Sequence, residues 1–298
     1  MSSVSVVESK GNGSRDVVDL DRMLRITRET QWSVHQFDWD RPLEGADDLS
    51  SRERKELGLM LVFTAGLEYQ AAEIFRLCAR YVGDSRAKQI YEYFYVDEMR
   101  HARSEIAMAK RLGVSWQDMP LLTRLNFRAI RHIWQSQSRF LHEVTASQIV
   151  LFEIGLDGLL IPLLKEKVKD SLQDEVFRRI DVDESHHLAM DYWLLDRKGK
   201  KSEKADLKFG ISDLMELAIV APLAPLGLWA IARATRHMQA EMFQPERIRI
   251  YWDRVKSVPS KAPHAMDYGV FRRGLRGQKV FMNFLRWAAA NKKQRGYK

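Results

Sequence analysis

Two short strings in the chain pair a carboxylate with an imidazole at helical spacing. Glu98 and His101 are three residues apart, and Glu184 and His187 repeat the pair 86 residues later. Residues three apart lie on one face of an α-helix, so each pair points an oxygen and a nitrogen donor in the same direction. Of the 8 histidines, these two alone have a Glu three residues before them. Each pair can therefore supply half of a metal site.

A further Glu stands in an apolar helical segment at a matching distance before each pair. Glu68 precedes Glu98 by 30 residues, and Glu153 precedes Glu184 by 31. If each unit is two antiparallel helices joined by a tight turn, the two Glu of a hairpin lie at similar heights. Two such hairpins packed together bring four Glu and two His to one point in the core.

Two other acids compete as ligands. Glu73 is about one and a half turns closer to the first hairpin turn than Glu68, and Asp157 follows Glu153 in the third helix. We prefer Glu68 and Glu153 because both stand in strongly apolar surroundings, where a lone carboxylate is costly without a cation or another partner.

The paired strings resemble those of the ferritin-like di-iron carboxylate superfamily. Within it, the chain is more similar to the O2-activating oxidases, desaturases and oxygenases than to the iron-storage ferritins. The resemblance covers about residues 52–196. It implies an all-α fold, a ferritin-like four-helix bundle with additional N- and C-terminal helices, and a cofactor of two iron ions, with manganese as the alternative. It implies these metal ligands: Glu68, Glu98, His101, Glu153, Glu184 and His187.

The resemblance also implies roles within the ligand set. Glu98 and Glu184 would bridge the two metals, each of the other two Glu would be terminal, and each His would bind one metal. Asp97 and Asp183 directly precede the bridging residues and would hold the histidine rings by their N–H groups. The alternative for both aspartates is ordinary surface charge.

One acid follows each histidine by four residues. Glu105 after His101, and Asp191 after His187, can each add an outer carboxylate to the site or form a surface salt bridge. Glu105 stands where ribonucleotide reductase radical subunits carry a tyrosine, so the resemblance gives no support for a stored radical. Ile180 stands where arylamine N-oxygenases carry a third histidine, so that subgroup is not indicated. The paired strings do resemble those of acyl-carrier-protein desaturases.

The composition favours long helices, and the cysteine content fits a reducing compartment. The chain has 298 residues with only 16 Gly and 8 Pro, and Cys78 is its single cysteine. No intramolecular disulfide is possible, and Cys78 is interpreted as a small buried residue. The first 16 residues are rich in Ser and Gly and are predicted to be disordered, without an apolar run of signal-peptide length. We expect a cytoplasmic protein, with peripheral membrane attachment as the alternative.

The sequence predicts the following units: a disordered N-terminus over 1–16, a helix and extended segment over 17–50, the dimetal bundle over 51–196 and a basic helical extension over 205–298. Within the bundle, Ser50 and Glu53 fit a capping box for a first helix that ends at Tyr81. The other helices are predicted over 86–112, 121–167 and 172–195, with tight turns near 83–84 and 170–171. The basic stretch 197–204 is interpreted as a linker.

The net charge of +8 is concentrated in the C-terminal region. Residues 233–298 hold 16 Lys or Arg and 4 Asp or Glu, a net charge of +12, and the remainder carries −4. The apolar window 211–232 favours a buried or lid helix over a membrane-dipping one, and residues 268–298 are typical of a basic amphipathic helix. Such a region suits an acidic partner such as a carrier protein, an anionic membrane surface or nucleic acid, and the alternative is a solvated tail.

These features together predict a non-haem di-iron enzyme. It would activate O2 to hydroxylate, desaturate or oxidatively cleave a mostly apolar small molecule, with electrons from a reductase or ferredoxin-type donor, and would form a homodimer. Two alternatives stay open: an interfacial oxidase of a quinol or lipid, and a non-enzymatic ferritin-like metal-binding protein.

Overall fold

The computed structural model describes residues 17–135, 139–167, 169–201, 218 and 225–280, which form helices and their connections without any strand. The all-α prediction is therefore confirmed for this part of the chain. The predictions for residues 1–16 and for most of 211–232 and 281–298 lie outside the described residues.

Four long helical segments form the bundle. They are α2 (Ser51–Tyr81), α3 (Ser85–Arg111), a third segment and α7 (Ser171–Lys200). The third segment consists of α5 (Arg139–Gly155), one π-helical turn (Leu156–Leu160) and α6 (Ile161–Lys167). Before α2 comes α1 (Leu20–Glu29), and α4 (Leu121–Gln135) lies between the two halves. After the bundle come α8 (225–234), α9 (Arg236–Met242), α10 (Pro245–Lys256), α11 (Val258–Lys261) and α12 (269–280).

Side-chain caps fix where the bundle helices begin. Ser50 and Glu53 form the predicted capping box at the start of α2. Asp84 accepts hydrogen bonds from two backbone N–H groups of the first turn of α3, and Asp170 accepts one from Gln173 of α7. Gly83, which has a φ of 73°, makes the turn between α2 and α3. The helices of each hairpin thus run antiparallel from the predicted turns.

Two apolar clusters fill the bundle, one on each side of its polar middle. The first includes Leu57, Leu61 and Phe177, and the second includes Phe75 and Tyr91. Full burial of each such side chain contributes about 1.5–3 kcal/mol to folding. Cys78 is buried within the second cluster, as predicted. The apolar clusters hold the polar middle away from water.

The end of α7 differs from the prediction. The helix continues to Lys200, so the interpretation of 197–204 as a linker is wrong over residues 197–200. Lys200 pairs with Asp196 across one helical turn at 2.9 Å. Gly199 lets the segment around His264 pass close by, since a Cβ at position 199 would overlap the backbone oxygen of His264. The glycine in this basic stretch therefore allows close contact between α7 and the segment around His264, and it does not indicate a linker.

The C-terminal helices pack back onto the bundle. Glu56 of α2 accepts hydrogen bonds from the backbone N–H groups of His237 and Met238, at the start of α9. Tyr268 donates a hydrogen bond of 2.5 Å to Glu143 of α5, and α10 contacts the π turn.

Among the described residues, one stretch is long and apolar enough to cross a membrane, His142–Lys167, and 72% of its most apolar window is buried inside the fold.

Candidate metal centre

The structure brings the six predicted ligand residues together in the middle of the bundle. They form two groups, and within each group one donor atom of every residue lies within 4.8 Å of the others: Glu68, Glu98, His101 and Glu184 in one, and Glu98, Glu153, Glu184 and His187 in the other. Glu98 and Glu184 belong to both groups. Two adjacent groups that share two carboxylates make a cluster able to bind two metal ions.

Each bundle helix supplies a defined part of the cluster. Glu68 comes from α2 and Glu153 from α5, while α3 and α7 each supply a Glu–His pair from one face. None of the six side chains is more than 1% exposed. The hairpin geometry inferred from the spacing therefore holds, and the cluster is closed to bulk water.

The histidine rings turn their Nδ1 atoms toward the carboxylates. Nδ1 of His187 lies 2.9 Å from Oε1 of Glu98, and Nδ1 of His101 lies 3.2 Å from Oε1 of Glu184. The Nε2 atoms point the other way, toward aspartates. With the proton on Nε2, each ring keeps a lone pair on Nδ1 for a metal ion.

The two aspartates cross over between helices. Asp183 of α7 lies 3.1 Å from Nε2 of His101 on α3, and Asp97 of α3 lies 3.5 Å from Nε2 of His187 on α7. The alternative that these aspartates are surface charges is wrong, since both are 1% exposed. Arg100 pairs with both and balances part of their charge. Each aspartate is thus placed to orient the histidine of the opposite helix.

Two residues of the segment before the bundle contact the aspartates, although sequence reasoning assigned no polar role to that segment. Trp32 donates a hydrogen bond of 2.8 Å from its indole Nε1 to Asp183, and the guanidinium of Arg100 lies 4.6 Å from the centre of its ring. Gln31 donates a hydrogen bond of 2.9 Å to Asp97. The sequence signal for these contacts is that an amide and an indole stand together, as Gln31 and Trp32, before the first bundle helix. These residues connect both aspartates to the N-terminal segment.

The electrostatics show how unfavourable the charged cluster is by itself. Burial, followed by the charges of Glu68 and Glu184, raises the pKa of Glu98 well above its usual range. Burial also raises the pKa of Glu153. Burial opposes ionisation of Glu184 as well, but the two histidines hold its pKa well below the usual range. Both oxygens of Glu68 and Glu153 lack a hydrogen-bond partner among the described residues.

Two divalent cations would remove this penalty. Four carboxylates carry four negative charges, two divalent ions carry four positive charges, and two neutral imidazoles complete the set. Hard oxygen donors with two imidazoles suit iron or manganese. The donor set therefore fits a pair of these ions, and the assignment of single residues as bridging or terminal stays a prediction.

The two outer acids lie in the interior as well. Glu105 is 0% and Asp191 is 1% exposed, and the oxygens of both lack a hydrogen-bond partner among the described residues. The alternative of surface salt bridges is therefore wrong for both. Burial raises both pKa values well above their usual range, and each group lies one helical turn beyond a histidine.

The competing acids lie outside both groups. Glu73 accepts a hydrogen bond of 2.6 Å from Arg76, and Asp157 lies 3.6 Å from Arg254 of α10. His186, beside His187, is only partly exposed and belongs to neither group. Glu68 and Glu153, and neither competing acid, belong to the two groups, and their role as ligands stays a prediction.

The fold is similar to that of a solved oxidase. That structure is described as a mutant R2-like ligand-binding oxidase with an aerobically reconstituted Mn/Fe cofactor. The match covers 82% of this chain and 92% of that one, with a TM-score of 0.51 and 12% sequence identity. No protein-family model and no curated protein matches the chain. At this identity the likeness shows a shared ferritin-like helical fold.

Proposed function

We propose that the protein is an O2-activating non-haem dimetal oxidase. The observation that carries this proposal is the pair of buried ligand groups that share Glu98 and Glu184. Two iron or manganese ions held by these residues would supply the redox chemistry that O2 activation needs. The Mn/Fe cofactor named for the structural neighbour supports manganese as an alternative to one or both irons.

The residues of the chain would hold and shield this chemistry. The two histidines and four glutamates would bind the ions, and Asp97 and Asp183 would fix the ring orientations through Nε2. The apolar clusters on both sides would keep water from competing with the substrate. We propose a mostly apolar small molecule as substrate, oxidised by hydroxylation, desaturation or oxidative cleavage.

Metal analysis tests the centre directly. Protein made in iron-replete cells should contain about two metal ions per chain, as the donor set requires. Glu98→Gln keeps the side-chain volume but removes a shared carboxylate, so it should lose both ions. Glu73→Gln is the matched control, because Glu73 lies on α2 near Glu68 and pairs with Arg76 outside the cluster. Wild-type protein without bound metal would contradict the proposal.

Oxygen consumption separates an oxidase from a storage protein. After anaerobic reduction, the loaded protein should consume O2 in proportion to its metal content. A ferritin-like store would instead form cage-sized particles with mineral cores, visible by light scattering. Loaded protein that takes up no O2 and behaves as such particles would favour the non-enzymatic alternative.

An acidic electron donor is the partner we propose. On α12, Arg272, Arg276 and Lys279 are exposed at positions that share one helix face. Replacing all three residues with Glu reverses their charge and should slow the reduction of the metal centre by an acidic ferredoxin-type protein about tenfold at low salt. Reduction by a small uncharged mediator should not change. Binding to anionic vesicles, with no effect on the protein donor, would favour the membrane alternative.

A further inference from the structure

The closed centre raises the question of how metal ions reach it. All six predicted ligands are at most 1% exposed, so an ion must cross a layer of protein. On the side of the aspartates, the guanidinium of Arg100 lies over Trp32 and repels cations. Beyond His187, the buried rings of Phe75 and Phe94 close the path with apolar surface. Neither side suits a divalent cation.

Asp157 is different from the other acids near the centre because it reaches solvent. It lies in the π turn, one turn beyond Glu153, and its side chain is 18% exposed. Burial and then the charge of Glu184 raise its pKa to about 7, so the charge of the cluster reaches Asp157. The other charged groups that act on it are Glu68 of α2, Asp181 of α7 and Arg254 of α10.

The partner of Asp157 is loosely held. Nη1 of Arg254 lies 3.6 Å from Oδ2 of Asp157, which is longer than a hydrogen bond, and its side chain is 47% exposed. Gly155 and Gly158 flank this contact without side chains, and a Cβ at Gly155 would have only Tyr251 within reach, at 3.9 Å. Arg254 can therefore move out to solvent without displacing packed groups.

At the inner end, the route meets carboxylate oxygens ready for a cation. Both oxygens of Glu153, one turn before Asp157, are buried and lack a hydrogen-bond partner among the described residues. π turns within α-helices often occur at functional sites, and the regular pattern of backbone hydrogen bonds is interrupted there. Along this route the charge changes from positive, at Arg254 on the surface, to negative, at the cluster of glutamates.

We propose that divalent metal ions reach the centre past the π turn, with Asp157 as a transient ligand and Arg254 as its displaceable counter-charge. A carboxylate oxygen replaces water on the ion while the guanidinium of Arg254 moves to solvent, so the charge at Asp157 stays balanced. The ion then passes to Glu153 and the shared carboxylates. This proposal rests on the dimetal centre proposed above.

The rate of cobalt loading tests the route without any substrate. Apo protein is mixed with Co2+, and the visible absorption of the bound ion is followed by stopped flow. Asp157→Asn should slow loading about tenfold, since it removes the attracting charge on the path. Arg254→Gln should speed loading about threefold, since it removes a repelling charge. Both variants should still bind as much Co2+ at saturation as the wild type.

Asp181→Asn is the matched control. Asp181 is a nearby acid on α7 that is exposed and pairs with Lys165 at 2.7 Å, so its loss should slow loading far less than the loss of Asp157. Equal slowing by Asp157→Asn and Asp181→Asn would show general attraction and would overturn the route. So would an unchanged rate in both Asp157→Asn and Arg254→Gln, or a loss of one bound ion in Asp157→Asn. Wild-type protein that binds no Co2+ would contradict the proposed function itself.

Discussion

At the scale of single residues, the centre depends on partners that hold each histidine. Asp183 accepts hydrogen bonds from Trp32, Arg100 and His101, and so connects the N-terminal segment with a predicted ligand. Burial lowers the pKa of His101 by itself, but the contacts with Asp183 and Glu184 raise it well above the usual value. The same contacts leave Nδ1 directed at the carboxylates, so the aspartate sets which atom of the ring can bind metal.

Asp183→Asn should weaken metal binding about 10–100-fold, since the amide loses the charge that favours Nε2–H. Competition with a chelator of known affinity measures this. Asp181→Asn, a change of the same chemistry at an exposed position of the same helix, should keep wild-type affinity. Equal affinities of Asp183→Asn and the wild type would contradict the orienting role of Asp183.

At the scale of elements, helices contact other segments closely at positions where a glycine leaves room that a side chain would fill. A Cβ at Gly66 would lie 2.5 Å from the ring of Phe127 on α4, and a Cβ at Gly199 would meet the backbone oxygen of His264. The first contact involves a side chain, which can turn aside. The second involves backbone, which can move only if the segment after α11 moves away from α7. The helix end and the C-terminal segment are therefore coupled.

Gly199→Ala should destabilise the protein by about 1–3 kcal/mol, because the methyl group forces the two backbones apart. Gly155→Ala should instead be neutral or stabilise by up to about 1 kcal/mol, because it gains helix propensity and meets no atom closer than 3.9 Å. Urea denaturation of the two apo variants measures both values. The opposite order of stability would contradict the packing of α7 against the segment around His264.

At the scale of the whole molecule, the buried acids make stability depend on pH. The pKa values of Glu98, Glu105, Glu153 and Asp191 are raised by burial, so the folded apo protein binds more protons than the unfolded chain above about pH 4.5. Glu184 acts in the opposite direction, since its pKa is lowered. More groups are raised than lowered, so the stability of the apo protein falls as the pH rises.

The melting temperature of the apo protein should therefore decrease from pH 5 to pH 8, as a thermal scan in the presence of a chelator can measure. Bound metal replaces protons as the counter-charge and should reverse this trend, since the ligands must be deprotonated to bind it. An excess of metal at about 100 times its dissociation constant adds about 2.7 kcal/mol. An apo melting temperature that rises with pH would contradict the burial of unpaired carboxylates.

The local spacing of residues determined the helices and which side chains they present. Glu98 with His101, Glu184 with His187, and the Ser50 cap follow from helical periodicity and end chemistry, which act over a few residues. Glu68 and Glu153 stand at matching distances before the two Glu–His pairs, and this predicted two helical hairpins. In a hairpin of antiparallel helices, residues equally far from the turn lie side by side, because each residue adds the same rise.

The tertiary structure alone decided which residues meet across helices. The crossed contacts of Asp97 and Asp183, the hydrogen bond from Trp32 and the approach of Arg254 to Asp157 join positions distant in sequence. Such contacts depend on how helices rotate and slide when their apolar faces pack together. The spacing of residues within one helix carries no information on that rotation, so it predicted the ligands and the aspartates beside them but not the contacts of Trp32 and Arg254.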